Sequence, residues 1–103
     1  MSNPSKREYD KMSIADDIKE REKIIHQFQT TGFLDRNDAI EKIASIQFTD
    51  IELAALTVVQ QTRYGSVNLY QADDNLIIEN MRFQIGFLET KLARLELEEE
   101  TNG

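Results

Sequence analysis

Apolar residues recur at helical spacing in four stretches of this chain, and only Val67 and Leu69 alternate in the manner of a short strand. In the first stretch Ile14, Ile18, Ile25 and Phe28 form a stripe that Ile24 widens. Ser13 and Asp16 precede it as an S-x-x-D start signal, and Gly32 follows as a stop. This pattern predicts a helix over about 14–29. The residues before it, 1–12, are polar, contain the one proline and show no period, so they read as a disordered tail.

Two shorter helices are expected next. In "FLDRNDAIEKIASI", Asp35 can cap, Asp38 adds negative charge to the first turn, and Leu34 can staple onto Ala39. Ala39, Ile40, Ile43 and Ala44 form the inner face of that helix. In "TDIELAALTVVQQTRYG", Thr49 and Glu52 stand in capping-box register, and Ile51, Ala55, Leu56, Val58 and Val59 supply apolar surface. Gly65 ends it, with Arg63 in the last turn. Residues 66–73 read as a loop, with Asp73 or Asp74 capping the last helix.

The fourth stretch, 74–100, is the most regular. Ile78, Ile85 and Leu92 fall at heptad position a and Met81, Leu88 and Leu95 at d. β-Branched residues at a with Leu or Met at d favour two parallel strands, in which Lys91 of one chain would face Glu96 of the other. Leu76, Phe83, Phe87 and Leu97 lie on the side opposite this seam, Phe83 and Phe87 as i,i+4 neighbours, so the helix is apolar nearly all round over 76–88 and needs cover on two sides. Gly86 in mid-helix, one heptad before Ala93, would allow close helix approach at a cost of about 1 kcal/mol relative to Ala.

The expected fold is therefore all-α: a small bundle of about four helices with a longer, coiled-coil-like C-terminal helix. Its parts are a tail over 1–12, a three-helix region over 13–65, a loop over 66–73, the last helix over 74–100 and a frayed end over 101–103. A chain of 103 residues with one proline and four glycines has too little turn punctuation for a β sandwich or barrel.

Charge narrows the partners. The formal net charge is −7, and residues 64–103 carry three basic against eight acidic residues. That field repels phosphates and anionic lipid, so no nucleic acid or membrane partner is expected, whereas a basic protein surface is favoured. With no cysteine, no apolar span and no apolar leader after Met1, a cytoplasmic protein is expected.

Candidate chemistry is sparse. His26, the one histidine, pairs at i,i+4 with Glu22 but lacks the further ligands of a metal site. The carboxylate clusters at 15–20 and 72–75 lack calcium-loop spacing and sit where helix starts attract acids. No nucleophile elbow or phosphate loop occurs. We expect no catalytic, cofactor-binding or metal-binding residues and no enzyme. The expected function is a protein–protein interaction module, a regulator, inhibitor or adaptor that dimerises or docks through Ile78, Met81, Phe83, Ile85, Phe87, Leu88, Leu92 and Leu95. Two alternatives stand beside it: a helix-turn-helix regulator built on 36–64, whose second helix opens with Asp50 and Glu52 where phosphates would lie, and an acidic nucleic-acid mimic or virion or complex assembly factor using the "ELEEE" end.

Overall fold

The computed structural model describes residues 6–30, 36–56, 71 and 73–102, of which 36 and 99–102 are described as backbone only. The protein is an all-α bundle, with four helices among the described residues. They are α1 (Lys6–Thr30), α2 (Arg36–Ser45), α3, whose described part is residues 51–56, and α4 (Asp74–Asn102).

Helix α1 starts eight residues before the expected Ile14, so much of the expected tail is helical. Lys6, Arg7, Glu8, Lys11 and Met12 are good helix formers, and Glu8 meets the positive end of the macrodipole. Their turn supplies carbonyls to the backbone N–H groups around Ser13 and Asp16, which leaves the S-x-x-D signal nothing to cap. At the other end the Thr30 hydroxyl donates to the carbonyl of His26 at 2.8 Å, satisfying one of the last free acceptors. The expected stop at Gly32, the Leu34 and Asp35 cap of α2, and the loop residues 66–70 lie outside the described residues.

Helix α2 has the expected three turns. Ala39 and Ile40 are buried and Ile43 packs on the core, but Ala44 is exposed. A polar tie holds α2 to α1: the Gln27 amide donates to Asp38 Oδ2 at 3.1 Å, and Lys42 Nζ donates to Gln27 Oε1 at 3.1 Å. Lys42 also pairs with Asp38 at 3.2 Å on the solvent side. Gln27 first and Lys42 second hold the Asp38 carboxyl below its usual range.

The cap of α3 is displaced by one residue from expectation. Asp50, not Thr49, is the N-cap: its Oδ1 accepts from Leu53 N at 2.9 Å, and its carbonyl accepts from Ala54 N at 3.0 Å. The Thr49 hydroxyl is instead taken by the Asp17 carboxylate. The inner face shifts with it, so Ile51 is 85% exposed, Ala55 is exposed and Leu53 is fully buried. Asp73 caps α4, its Oδ1 accepting from Asn75 N at 3.0 Å and its carbonyl from Ile77 N at 3.1 Å. Helix α4 runs to Asn102, through two of the residues expected to fray.

Three contacts fix how α1 and α4 lie. Arg21 bonds Gln84, while Asp17 and Lys91 reach the adjacent residues Thr49 and Asp50. Residue numbers therefore rise along one helix as they fall along the other, and the pair is antiparallel. Ile14, Ile18, Ile24, Ile25 and Phe28 of α1 share one core with Ile77, Met81, Ile85 and Leu88 of α4, closed by Ala39 and Ile40 of α2 and Leu53 of α3. Burying each large side chain of this set stabilises the fold by about 1.5–3 kcal/mol.

Candidate interaction surface

Helix α4 has two faces with different fates. On its inner face Met81, Ile85 and Leu88 are buried within the chain, and Ile78, Leu92 and Leu95 pack partly buried against the same core. All six residues of the heptad seam thus lie against this chain's own helices. The burial is centred slightly to one side of the expected seam, since Ile77 and Gln84, which lie off it, are also buried. Phe87 is half-buried against the core and Phe83 is 47% exposed. Lys91, expected to reach a second chain, pairs with Asp50 at 2.6 Å and Glu52 at 3.7 Å in its own.

A polar network crosses the interior where α1, α4 and residues 45–50 meet. Arg21 is 0% exposed. Its Nε donates to Gln84 Oε1 at 2.6 Å and its Nη1 to the Asp17 carbonyl at 3.0 Å, while its guanidinium lies 5.5 Å from the centroid of the Phe48 ring. Gln84 is held in turn by Asn80, whose Oδ1 accepts from its amide at 2.9 Å. Burial pushes the Arg21 pKa down, and the negative charges of Asp17 and Glu20 oppose this. A half-open cleft of about 360 Å³ lies beside the network, between Asp16, Asp17 and Glu20 and the segment Ser45–Thr49. Among the described residues the Arg21 Nη2 is left buried without a hydrogen-bond partner, but three carboxylates against this one cation make the cleft a poor anion site. His26 and Glu22 are both exposed, and among the described residues no cluster of metal-ligating groups occurs.

The Asp50–Lys91 pair makes stability depend on pH. Burial pushes the Asp50 carboxyl up, but hydrogen bonds from Lys91 and from the Leu53 and Glu52 backbone, with the Lys91 charge, outweigh it and hold the pKa below its usual value. For Lys91 burial acts downward, and the Asp50 bond and charge, then Glu52, raise the net value. A depressed carboxylate adds stability that is complete above its unfolded pKa of about 3.9 and fades as pH falls through the lower folded value. A raised lysine adds stability that is complete below about 10.4 and fades as pH rises through the higher folded value. Urea midpoints should therefore form a plateau between these limits. Asp50→Asn, which keeps the cap, should cost about 1–2 kcal/mol at pH 7 and show a shallower loss toward pH 2.5. An acid limb as steep as in the wild type would rule out this origin.

The outer face of α4, about 150° around the helix from the buried one, carries Leu76, Phe83 and Leu97 at 48%, 47% and 60% exposure. Between them lie exposed Glu79, Gly86, Thr90, Ala93 and Arg94. Sequence reasoning placed Leu76, Phe83 and Leu97 together opposite the seam, with Phe83 alone of the three as a contact residue and Gly86 and Ala93 as a close-approach pair. The spacing of Leu76, Phe83, Thr90 and Leu97, seven residues apart throughout, was available as a signal. No known protein family, curated protein or solved structure matches this chain. Among the described residues no helix is long and apolar enough to cross a membrane.

Proposed function

We propose that this protein acts without catalysis, as an interaction module that docks on another polypeptide through the outer face of α4. One observation carries the reading: Leu76, Phe83 and Leu97 stand exposed in a heptad line on the longest helix, after the inner seam has been used up by the chain's own core. Exposed aromatic and aliphatic side chains aligned on a rigid helix are the usual anchors of a helix-mediated interface. The buried ionisable groups support the reading from the other side, since Arg21 and Asp50 are each engaged in tying helices together. The lack of cysteine suits the reducing cytoplasm in which we place the module.

A helix-turn-helix role is less well supported. At the start of α3, where phosphate contacts would fall, Asp50 is tied to Lys91, and the side chains facing solvent are Ile51 and Glu52.

The test places a photo-crosslinking phenylalanine analogue at position 83, with a control at exposed position 23 on α1, in cells where the chain naturally occurs. A discrete adduct at 83 that is absent at 23 is the expected result. Equal labelling at both positions, or none at 83, would remove the outer face of α4 as the docking surface.

A further inference from the structure

We infer that the occupant of this face is a second copy of the same chain, packed antiparallel on α4 about a two-fold axis passing between Gly86 and Phe87. The inference rests on the docking reading above and adds the identity and register of the partner.

Self-complementarity is the reason. About that axis each residue faces the one equally far on the other side, so Leu76 faces Leu97 of the second copy and Phe83 faces Thr90. Glu79 meets Arg94, and Gly86 receives the half-buried Phe87 ring. A two-fold interface repeats each pair twice, and every pair named here is apolar with apolar, large with small, or acid with base. Among the described residues neither Glu79 nor Arg94 is held in an ion pair within the chain, so both charges are uncommitted. Thr90 already donates its hydroxyl to the Gly86 carbonyl at 2.9 Å, so facing Phe83 leaves no donor unmet.

Gly86 supplies a further observation. Among the described residues, and outside the backbone of its own helical turns, no atom lies within 4 Å of where a Cβ on it would stand. The packing of the described residues therefore does not account for a glycine in the middle of α4, whereas close approach by a second helix does.

Charge also selects the orientation. In a parallel pair Glu79 would face Glu79 and Arg94 would face Arg94, and the acidic ends of α4 would lie together. In the antiparallel pair the two Glu98 residues stand about 35 Å apart, well beyond the Debye length of about 8 Å at physiological salt. The helix dipoles are then opposed as well, which favours the pair.

Sedimentation equilibrium on the full chain tests this, with circular dichroism confirming that each variant is folded. The wild type should dimerise with a dissociation constant on the order of 10 µM, the weak end expected for a small interface. Glu79→Arg and Arg94→Glu each place like charges opposite one another twice, and each should weaken the dimer about tenfold or more. An equimolar mixture of the two variants should recover the wild-type affinity, because each then offers the charge the other lacks. A dimer indifferent to both substitutions, or a mixture that stays as weak as its parts, would overturn the register. A wild type that is monomeric to several hundred micromolar would overturn the second copy as occupant. A discrete adduct of position 83 with a different protein would then still uphold the docking reading.

Discussion

Leu88→Asp should unfold this protein, while Phe83→Asp, five residues away on the same helix, should leave it folded. Leu88 is 0% exposed at the centre of the α1–α4 contact. Truncating such a side chain to alanine costs about 3–5 kcal/mol, and placing a carboxylate there adds the penalty of an unpaired buried charge. A chain of this length holds about 5–15 kcal/mol in all, so the aspartate variant should lose its cooperative transition. Phe83 lies on the opposite face, where a polar residue should shift stability by only about 0.5 kcal/mol. Urea titration followed by far-UV circular dichroism separates the two. A Leu88→Asp chain that keeps its helicity and unfolds cooperatively would mean that the seam faces outward.

These two residues also show what a sequence can and cannot say about a helix. The heptad spacing of Ile78, Met81, Ile85, Leu88, Leu92 and Leu95 picks out residues that do pack inward. Spacing alone, however, is identical whether the covering surface is α1 or another molecule, since both need the same stripe. The deciding fact is that α1 offers a matching stripe of its own, Ile14, Ile18, Ile25 and Phe28, and antiparallel α-helices of 25 and 29 residues have length enough to cover one another. The all-α class and the start of α4 at Asp73 were legible because periodicity and caps act locally, whereas α1 starts eight residues before the Ile14 at which the signal of Ser13 and Asp16 placed it. The exchange of Thr49 for Asp50 at the α3 cap was not, because the Thr49 hydroxyl is claimed by Asp17, 32 residues away in sequence.

Arg21 was half legible. In the series Ile14, Ile18, Arg21, Ile25, Phe28 it occupies a position of the buried stripe, so its spacing predicts burial while its charge predicts a solvated face. Its partner Gln84 lies 63 residues away, and nothing local announces the bond. With that bond in place, burial of the guanidinium is tolerable, because Gln84, the Asp17 carbonyl and the Phe48 ring replace part of its hydration.

The same geometry sets the second large effect. Gln84→Leu should cost about 3–5 kcal/mol, because it leaves the Arg21 Nε–H buried without its acceptor. Arg21→Met should also destabilise, since the Gln84 side-chain oxygen loses its donor and the buried Asp17 carboxylate loses the favourable charge of Arg21. The double variant Arg21→Met, Gln84→Leu removes both polar partners together and places apolar volume between α1 and α4. Its loss should fall short of the sum of the single losses by about 1–3 kcal/mol, the coupling expected of residues in one buried network. Denaturant midpoints of the four chains measure that coupling, and strictly additive losses would mean that the Arg21–Gln84 bond contributes nothing to folding. If the network also sets the register between α1 and α4, amide exchange in the double variant should quicken along both helices even where the midpoint is recovered. A buried ion or amide restricts how two apolar stripes can slide past each other, a constraint that Met and Leu do not impose.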